Sequence, residues 1–154
     1  MSAKTIELLR HSKNLETLLK MSIFAALMPL LLKCYSLERV LGMITPNIKG
    51  RQGVTSPASV ESIVRLGVLL LKRNRLFLKN SCLNRSLLLY YFLRKDGIEV
   101  QIHFGVKKLQ GYLTGHSWLT QNGNLLIDKK RHVEDFTTII SYPESVQTIK
   151  FQRR

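Results

Sequence analysis

The feature that most constrains the fold is a change of pattern at Cys82, where a polar loop over residues 79–81 gives way to a leucine-rich helical run and then to strands. A thiol at a helix N-terminus faces unpaired backbone N–H groups and the positive end of the helix dipole, and both favour the thiolate. His116 and Asp128 follow on two predicted strands. The sequence therefore predicts a reactive cysteine together with an imidazole and a carboxylate from one sheet.

These residue types suit nucleophilic catalysis. The thiolate is the nucleophile, a histidine can hold the proton that the cysteine gives up, and a carboxylate can hold the imidazole in one tautomer and orientation. The backbone N–H of Cys82 is a natural oxyanion donor at a helix start, and Asn80 is a candidate for the second donor. The order Cys, His, Asp along the chain indicates a papain- or transglutaminase-like thiol enzyme.

Composition limits the class of protein. A chain of 154 residues has room for one domain with a real core, and its 45% of apolar residues argues against a disordered chain. Its two cysteines are too few for a disulfide scaffold and fit no metal-site spacing. The sequence also has no glycine-rich phosphate loop. We therefore expect no metal and no nucleotide cofactor.

The charge suggests an alternative function. Lys and Arg number 24 against 10 Asp and Glu, a net charge of +14 that attracts polyanions. A basic nucleic-acid or anionic-surface binding module without catalysis is therefore the alternative to an enzyme, supported further by the basic run over residues 72–79. No recognition-helix, zinc-finger or RNA-motif pattern accompanies the charge, so we favour the enzyme and expect no nucleic acid as partner.

The N-terminal part of the chain, from about Ile6 to Leu41, has leucines recurring at threes and fours and predicts helices. Pro29 is expected to end or kink a helix near Met28. The longest apolar stretch, residues 21–32, would span about 18 Å as a helix, well short of the roughly 30 Å of a bilayer core. Nor does it suit a signal peptide. We predict a cytoplasmic protein and leave contact with a membrane open.

Glycine and proline are concentrated between residues 42 and 57, which predicts a linker. We therefore divide the chain into a helical N-terminal region with its linker, residues 1–57, and a catalytic core, residues 58–154, within one unit. Inside the core a helix is predicted from Ser59, a possible cap, to about Leu71. Asp96-Gly97 is expected to end the Cys82 helix, since glycine suits the left-handed position after a helix.

Alternating apolar residues from Ile98 to Val106 predict a half-buried strand, and a second strand over residues 115–120 leads into an Asn122-Gly123 turn. The turn decides the partner of His116. A two-residue turn would place Lys129 opposite it, whereas a three-residue turn with a bulge at Gly123 would place Asp128 there. Asn-Gly suits both turns. The enzyme hypothesis requires the bulge, and we expect the two-residue register to remove Asp128 from the site.

Other chemically notable residues have structural interpretations. Cys34 is expected to be a buried small hydrophobe. Trp118, on the same strand face as His116, is expected to form a wall of the core or site. Arg85 has three open roles: binding a substrate carboxylate, stabilising the thiolate, or forming a salt bridge. The remaining histidines His11, His103 and His132 are expected at the solvated surface, and Tyr90 and Tyr91 in the core.

Several of these motifs resemble the transglutaminase-like leader peptidases of lasso-peptide biosynthesis, in the stand-alone B2 form that is separate from the small leader-binding B1 protein. The resemblance rests on Ser81-Cys82-Leu83-x-Arg85, Gly105-Val106-Lys107-Lys108, Gly115-His116-Ser117-Trp118 and an aspartate twelve residues after the histidine. Many relatives have alanine where this chain has Gly115. The likeness is best from about Val60 to Asp128.

The resemblance implies an α+β fold, a transglutaminase-like or papain-like core with helices packed on a small antiparallel sheet. It implies a cysteine peptidase that removes the leader from a ribosomal precursor peptide through a thioester, without a cofactor. Cys82 would be the nucleophile, His116 the general base and acid, and Asp128 the orienting carboxylate. Its expected partners are the precursor peptide, the B1 protein and an asparagine-synthetase-like lasso cyclase.

Overall fold

The computed structural model describes residues 12–47, 57–73 and 82–143, which form four helices and one sheet. The elements are α1 (Ser12–Cys34), α2 (Leu37–Ile44), α3 (Pro57–Arg73), α4 (Cys82–Lys95), β1 (Gln101–Leu109), β2 (Tyr112–Gln121), β3 (Asn124–Leu125) and β4 (Thr137–Tyr142), with a 3₁₀ turn at Lys130–His132. Helices come first and antiparallel strands follow, which confirms the predicted α+β class.

The chain divides into two compact units, a helical unit (Met1–Ile98) and a sheet unit (Glu99–Arg154). Cys82 belongs to the helical unit, whereas His116 and Asp128 belong to the sheet unit. The division predicted from sequence, between an N-terminal region ending at residue 57 and a catalytic core, stays a prediction.

Helix α4 lies at the centre of the helical unit. The apolar residues of α4 are distributed around the helix axis, so most faces of the helix are buried. Tyr90 is fully buried, as expected, and its hydroxyl lies 3.0 Å from the hydroxyl of Thr45. The buried residues of α4 are Asn84, Ser86, Leu87, Leu88, Leu89, Tyr90, Phe92, Leu93 and Arg94.

The end of α4 confirms the predicted role of Gly97, which has φ +83°. The N–H of Gly97 donates to the carbonyl of Arg94, and the N–H of Ile98 donates to the carbonyl of Leu93, each at 3.0 Å. These two bonds are the Schellman pattern, which satisfies carbonyls that the helix itself leaves without donors.

Helix α1 differs from its predicted form, because it continues through Pro29 to Cys34. A proline in a helix removes one backbone hydrogen bond, here the one to the carbonyl of Ala25. Met21, Ala25 and Met28 are buried just before it and hold this part of the helix in place. Of the two predicted alternatives, the helix end near Met28 is therefore wrong, and the kink stays a prediction. Cys34, expected to be buried, is exposed at the end of the helix.

The opposite face of α1 carries a row of large apolar side chains, each between 50% and 62% exposed, which we call the α1 stripe: Leu15, Leu19, Ile23, Leu27 and Leu30. Over Asn14–Cys34 the helix is long and apolar enough, by length and composition, to cross a membrane. The expectation that no segment of such length exists rested on the uninterrupted apolar stretch of residues 21–32, which lies between Lys20 and Lys33. A core helix of a soluble protein passes the same test, so the cytoplasmic location stays a prediction.

The helices flanking the predicted linker begin and end differently from expectation. The hydroxyl of Ser36 accepts the N–H of Arg39 at 3.4 Å and caps α2, which includes Gly42. The linker thus cannot begin at residue 42, and residues 48–56 lie outside the described part of the chain. Helix α3 already includes Pro57, the first residue described after the gap, so Ser59 lies inside the helix and is not its cap.

The sheet has the strand order β3-β2-β1-β4, with every neighbouring pair antiparallel. A two-residue turn, Gln110-Gly111, joins β1 to β2 with positive φ at both positions. Strand β1 begins at Gln101, later than predicted, and its register against β4 shifts between Phe104 and Gly105. Strand β4 was not predicted.

The turn between β2 and β3 corrects the sequence prediction. Gln121 pairs with Asn124, and the two residues between them, Asn122 and Gly123, have φ +50° and +78°. Positive φ at both positions is the geometry of a two-residue type I′ turn. The bulged three-residue turn is therefore wrong.

Candidate active site

His116 and Asp128 form a hydrogen-bonded pair, with 3.2 Å between Nε2 and Oδ1. A carboxylate oxygen only accepts, so Nε2 carries the proton and Nδ1 is left as the basic nitrogen of the neutral ring. The Asp128 side chain is 8% exposed and that of His116 is 19% exposed. The pair is therefore largely protected from water while one side of the imidazole stays accessible.

This pair forms in the register that was expected to exclude it. Strand β3 ends at Leu125, and the last bond along this edge runs from the N–H of Leu126 to the carbonyl of Leu119 at 3.1 Å. The chain then bends over residues 126–128. Because side chains alternate between faces only along a strand, register no longer decides where Asp128 points. The expectation that this register removes Asp128 from the pair is therefore wrong.

Two aromatic rings contact the imidazole of His116. Trp118, two residues along β2, is stacked on it with ring centroids 6.1 Å apart, and Phe136 lies 5.3 Å away. Trp118 is buried, in agreement with its expected role as a wall. Phe136 was missed, because it lies in the irregular segment between the 3₁₀ turn and β4 and belongs to no periodic pattern.

Gly105 makes room for the Trp118 ring. It pairs with His116 across the β1–β2 ladder. A Cβ atom at this position would lie 2.8 Å from Cη2 of Trp118 and 3.0 Å from the carbonyl oxygen of Thr137. Any larger residue would therefore displace the indole on which His116 is stacked.

His103 is partly buried and hydrogen-bonded, so the expectation that it is a solvated surface residue is wrong. Its Nδ1 lies 2.8 Å from the hydroxyl of Ser141 and its Nε2 lies 2.8 Å from the hydroxyl of Thr120. Its ring is stacked on Trp118, with centroids 5.7 Å apart. Burial lowers the pKa of His103 below its usual value. Ser141 is on β4, so no signal near His103 in the sequence could have indicated this network.

A positively charged side chain lies on the outer side of Phe136. Lys107 Nζ is 4.7 Å from the centroid of the Phe136 ring and 3.6 Å from Oδ2 of Asp135. The first contact packs Lys107 against Phe136, which in turn contacts His116, and the second joins Lys107 to the residue before Phe136. The aromatic wall of the imidazole is thus tied to β1 as well as to the loop before β4.

The other predicted site residues lie in the helical unit. Cys82 is the first residue of α4 that the structure describes, its thiol is free, and it is partly exposed. Asn80 lies outside the described residues. Arg85 is partly exposed one turn further along α4. Its three predicted roles stay open.

Two histidines remain outside these contacts. His132 is exposed, as expected, and its Nε2 accepts a hydrogen bond from Nε of Arg131 at 3.3 Å. His11 lies outside the described residues. Within the described part of the chain, the histidine bonded to a carboxylate is the predicted one.

Comparison with known proteins agrees with this chemistry. The family model described as the Transglutaminase-like superfamily matches residues 25–141, from within α1 to the end of β4. That range includes Cys82, His116 and Asp128, and members of the superfamily are typically cysteine-peptidase-like. Searches of curated proteins and of solved structures give no match. Because the family match extends over more than half of its length, the chain belongs to the transglutaminase-like superfamily.

Proposed function

We propose that this protein is a cysteine peptidase that removes the leader peptide from a ribosomally made lasso-peptide precursor. The observation that carries the enzymatic part is the His116–Asp128 hydrogen bond in a chain of the transglutaminase-like superfamily. The substrate rests on the sequence motifs around Cys82 and His116 that resemble lasso leader peptidases.

The proposed reaction has two acyl-transfer steps. Cys82 gives its proton to Nδ1 of His116, and its sulfur attacks the carbonyl carbon of the leader–core bond. The imidazolium then donates that proton to the leaving amine, which frees one peptide fragment and leaves a thioester on Cys82. A water molecule hydrolyses the thioester with His116 again acting as base.

Asp128 has two tasks in this mechanism. Its carboxylate holds the Nε2–H tautomer, which keeps Nδ1 free to take the thiol proton, and its negative charge stabilises the imidazolium that forms. Trp118 and Phe136 restrict the rotation of the ring. These contacts favour the imidazole orientation that the proposed proton transfer needs.

Three substitutions test the mechanism. Cys82→Ala removes the nucleophile with little change of volume and should abolish cleavage of the precursor peptide, measured by mass spectrometry. His116→Ala should be nearly as severe. Asp128→Asn keeps the shape but favours the wrong tautomer, a change that costs about 10⁴-fold in a serine triad and is expected to be milder with a thiol. His132→Ala, at an exposed histidine, is the matched control with unchanged activity.

Thiol labelling tests the same assignment without substrate. Iodoacetamide at mildly acidic pH should alkylate Cys82 ahead of Cys34, although Cys34 is the more exposed thiol, because His116 can hold the proton of Cys82. Cys34 is thus an internal control for accessibility. Wild-type turnover by purified Cys82→Ala, or faster labelling of Cys34, would contradict the proposal.

Partner proteins complete the proposed function. In the similar family a separate B1 protein binds the leader as an added strand, which tethers the scissile bond near the thiol at an effective concentration of roughly mM. The α1 stripe gives that protein an apolar surface to bind, and the net charge of +14 suits an acidic docking face. The lasso cyclase would then act on the released core peptide.

This division of labour predicts slow cleavage, or none, by the protein alone. Addition of the leader-binding protein should accelerate cleavage of the precursor, and the acceleration should weaken as salt rises, because salt screens charge. The measurement is the cleavage rate with and without that partner over a salt series. Equal rates in both cases would contradict the tethering, and rates independent of salt would contradict the electrostatic part.

A further inference from the structure

The outer edge of β2 has no neighbouring strand over residues 112–115 in the part of the chain that the structure describes. Strand β2 has ten residues, and β3 pairs with the last two of them, Thr120 and Gln121. One more backbone bond, from Leu126 to Leu119, extends this pairing. The chain then bends away to place Asp128 beside His116, and the edge on the other side of His116 has no neighbouring strand among the described residues.

The ladder identifies which backbone groups point to this edge. Leu109 and Tyr112 flank the two-residue turn, so each donates to and accepts from the other. The residues of β2 whose backbone groups bond to β1 are therefore Tyr112, Thr114 and His116. The alternate residues, Leu113 and Gly115, point their N–H and C=O groups to the outer edge. The bond from the N–H of Leu126 to the carbonyl of Leu119 agrees with this alternation, because Leu119 is also one of the residues that bond away from β1.

The same segment is exposed and apolar at its tip. Tyr112 is 79% exposed and Leu113 is 77% exposed, and Leu109 on β1 is exposed beside them. An added Cβ at Gly115 would meet no described atom closer than the Gly105 carbonyl oxygen at 3.9 Å. A long open edge with large apolar side chains is a template for another strand. Here that template leads directly to His116.

We propose that residues 113–115 bind the substrate as an added strand, with the N–H and C=O groups of Leu113 and Gly115 forming four main-chain hydrogen bonds. The proposal rests on the proposed peptidase function and specifies how that site holds its peptide. In strand addition, main-chain hydrogen bonds provide the affinity, and side-chain contacts provide the specificity. A peptide in this position passes beside His116 in an extended form, as attack on its carbonyl requires.

The charge beside the edge indicates which peptide fits. Lys108 pairs with Leu113 across the ladder, so both side chains lie on the same face of the sheet. Lys108 is exposed, and the whole chain carries +14. The edge therefore suits an extended segment with an acidic residue among apolar ones, and it disfavours a basic segment.

A single backbone donor can be removed at this edge without changing the β1–β2 ladder. Leu113→Pro deletes the outward N–H and leaves the bonds of Tyr112 and Thr114 to β1 in place, which is the position where an edge strand tolerates proline. Leu113→Ala is the matched control, because it shortens the side chain and keeps the N–H. Loss of one hydrogen bond should weaken binding roughly fivefold in the proline variant relative to the alanine variant.

The binding probe is the acetylated hexapeptide Thr-Val-Glu-Val-Thr-Val, added at millimolar concentration to ¹⁵N-labelled Cys82→Ala protein. The amide signals of Leu113 and Gly115 should shift more than that of Thr114. The same peptide with alternate N-methyl groups should not produce these shifts. This binding experiment uses the Cys82→Ala protein. Its result therefore depends neither on the folding of Leu113→Pro nor on cleavage of lasso precursors.

The second arm is catalytic. For the precursor peptide, Leu113→Pro should raise KM relative to Leu113→Ala, with kcat much less affected. Equal KM values in the two variants, or peptide shifts that ignore Leu113 and Gly115, would overturn the proposal while leaving the Cys82–His116 chemistry intact. Shifts at these amides that grow with protein concentration in the absence of peptide would show a second copy of the chain on this edge, which also overturns it.

Discussion

Each of the two compact units has its own hydrophobic core, and the two cores differ in kind. In the helical unit, apolar side chains of α1, α3 and α4, aliphatic ones and the ring of Phe92, form a buried cluster around residues such as Met21 and Leu66. In the sheet unit, the indole of Trp118 is stacked with His103 and with His116, and both imidazoles are hydrogen-bonded. The first core follows from hydrophobic periodicity. The second depends on residues from β1, β2, β4 and the loops, which no local pattern reveals.

Within the helical unit, burial separates two helices that look alike in sequence. Leucine-rich α4 buries nine of its fourteen residues, whereas leucine-rich α1 buries Met21, Ala25 and Met28 and exposes the α1 stripe. Apolar residues in a sequence therefore indicate where a core or an interface can form, and only the packing distinguishes the two.

The largest expected effect tests this difference in burial. Leu88 is fully buried in α4 and Leu19 is 62% exposed in α1, so Leu→Ala at the two positions is the same chemical change in two environments. Leu88→Ala should lower the free energy of unfolding by about 2–5 kcal/mol, because it leaves a cavity. Leu19→Ala should change it by about 0.5 kcal/mol or less. Urea unfolding followed by circular dichroism measures both.

A comparable loss at Leu19 would contradict the exposure of the α1 stripe in the isolated protein. Adding the leader-binding protein sharpens the comparison. If that proposed partner covers the α1 stripe, Leu19→Ala should weaken the complex, whereas Leu88→Ala should act on the stability of the free protein alone.

The fold was predictable where one short segment decides the structure. Gly97 ends α4 as expected, because a left-handed residue after a helix calls for glycine. The helix end predicted near Met28 as one of two alternatives is wrong, because the helix continues through Pro29 with Met21, Ala25 and Met28 packed before it. Local propensity is a weak guide wherever tertiary contacts compensate for it.

The site was predictable from residue types and only partly from geometry. His116 and Asp128 were paired correctly, yet the bulged turn proposed to bring them together does not exist. The strand that was predicted to include Asp128 ends at Leu125, and strand length cannot be read from an Asn-Gly turn. Phe136 and His103 were missed for a related reason, since their contacts come from parts of the chain distant in sequence.

The smaller effect concerns the hydrogen-bonded core of the sheet unit, and it depends on pH. Burial between the hydroxyls of Ser141 and Thr120, against the ring of Trp118, lowers the pKa of His103 below 6.5. As pH falls below about 6.5, the unfolded chain takes up a proton at this imidazole and the folded chain does not. The free energy of unfolding should therefore fall with pH in this window, and the loss should level off below the pKa of the folded state.

One titrating group changes the free energy of unfolding by at most about 1.4 kcal/mol per pH unit, so the measurement needs a difference between variants. His103→Gln keeps groups that can bond to Ser141 and Thr120 but does not titrate, and it should remove this part of the pH dependence. His132→Gln, at an exposed histidine, is the matched control and should keep it. Parallel pH curves for wild type and His103→Gln would mean that the imidazole takes up its proton equally in both states. The contrast between the apolar core of the helical unit and the hydrogen-bonded core of the sheet unit would then have no consequence for the pH dependence of stability.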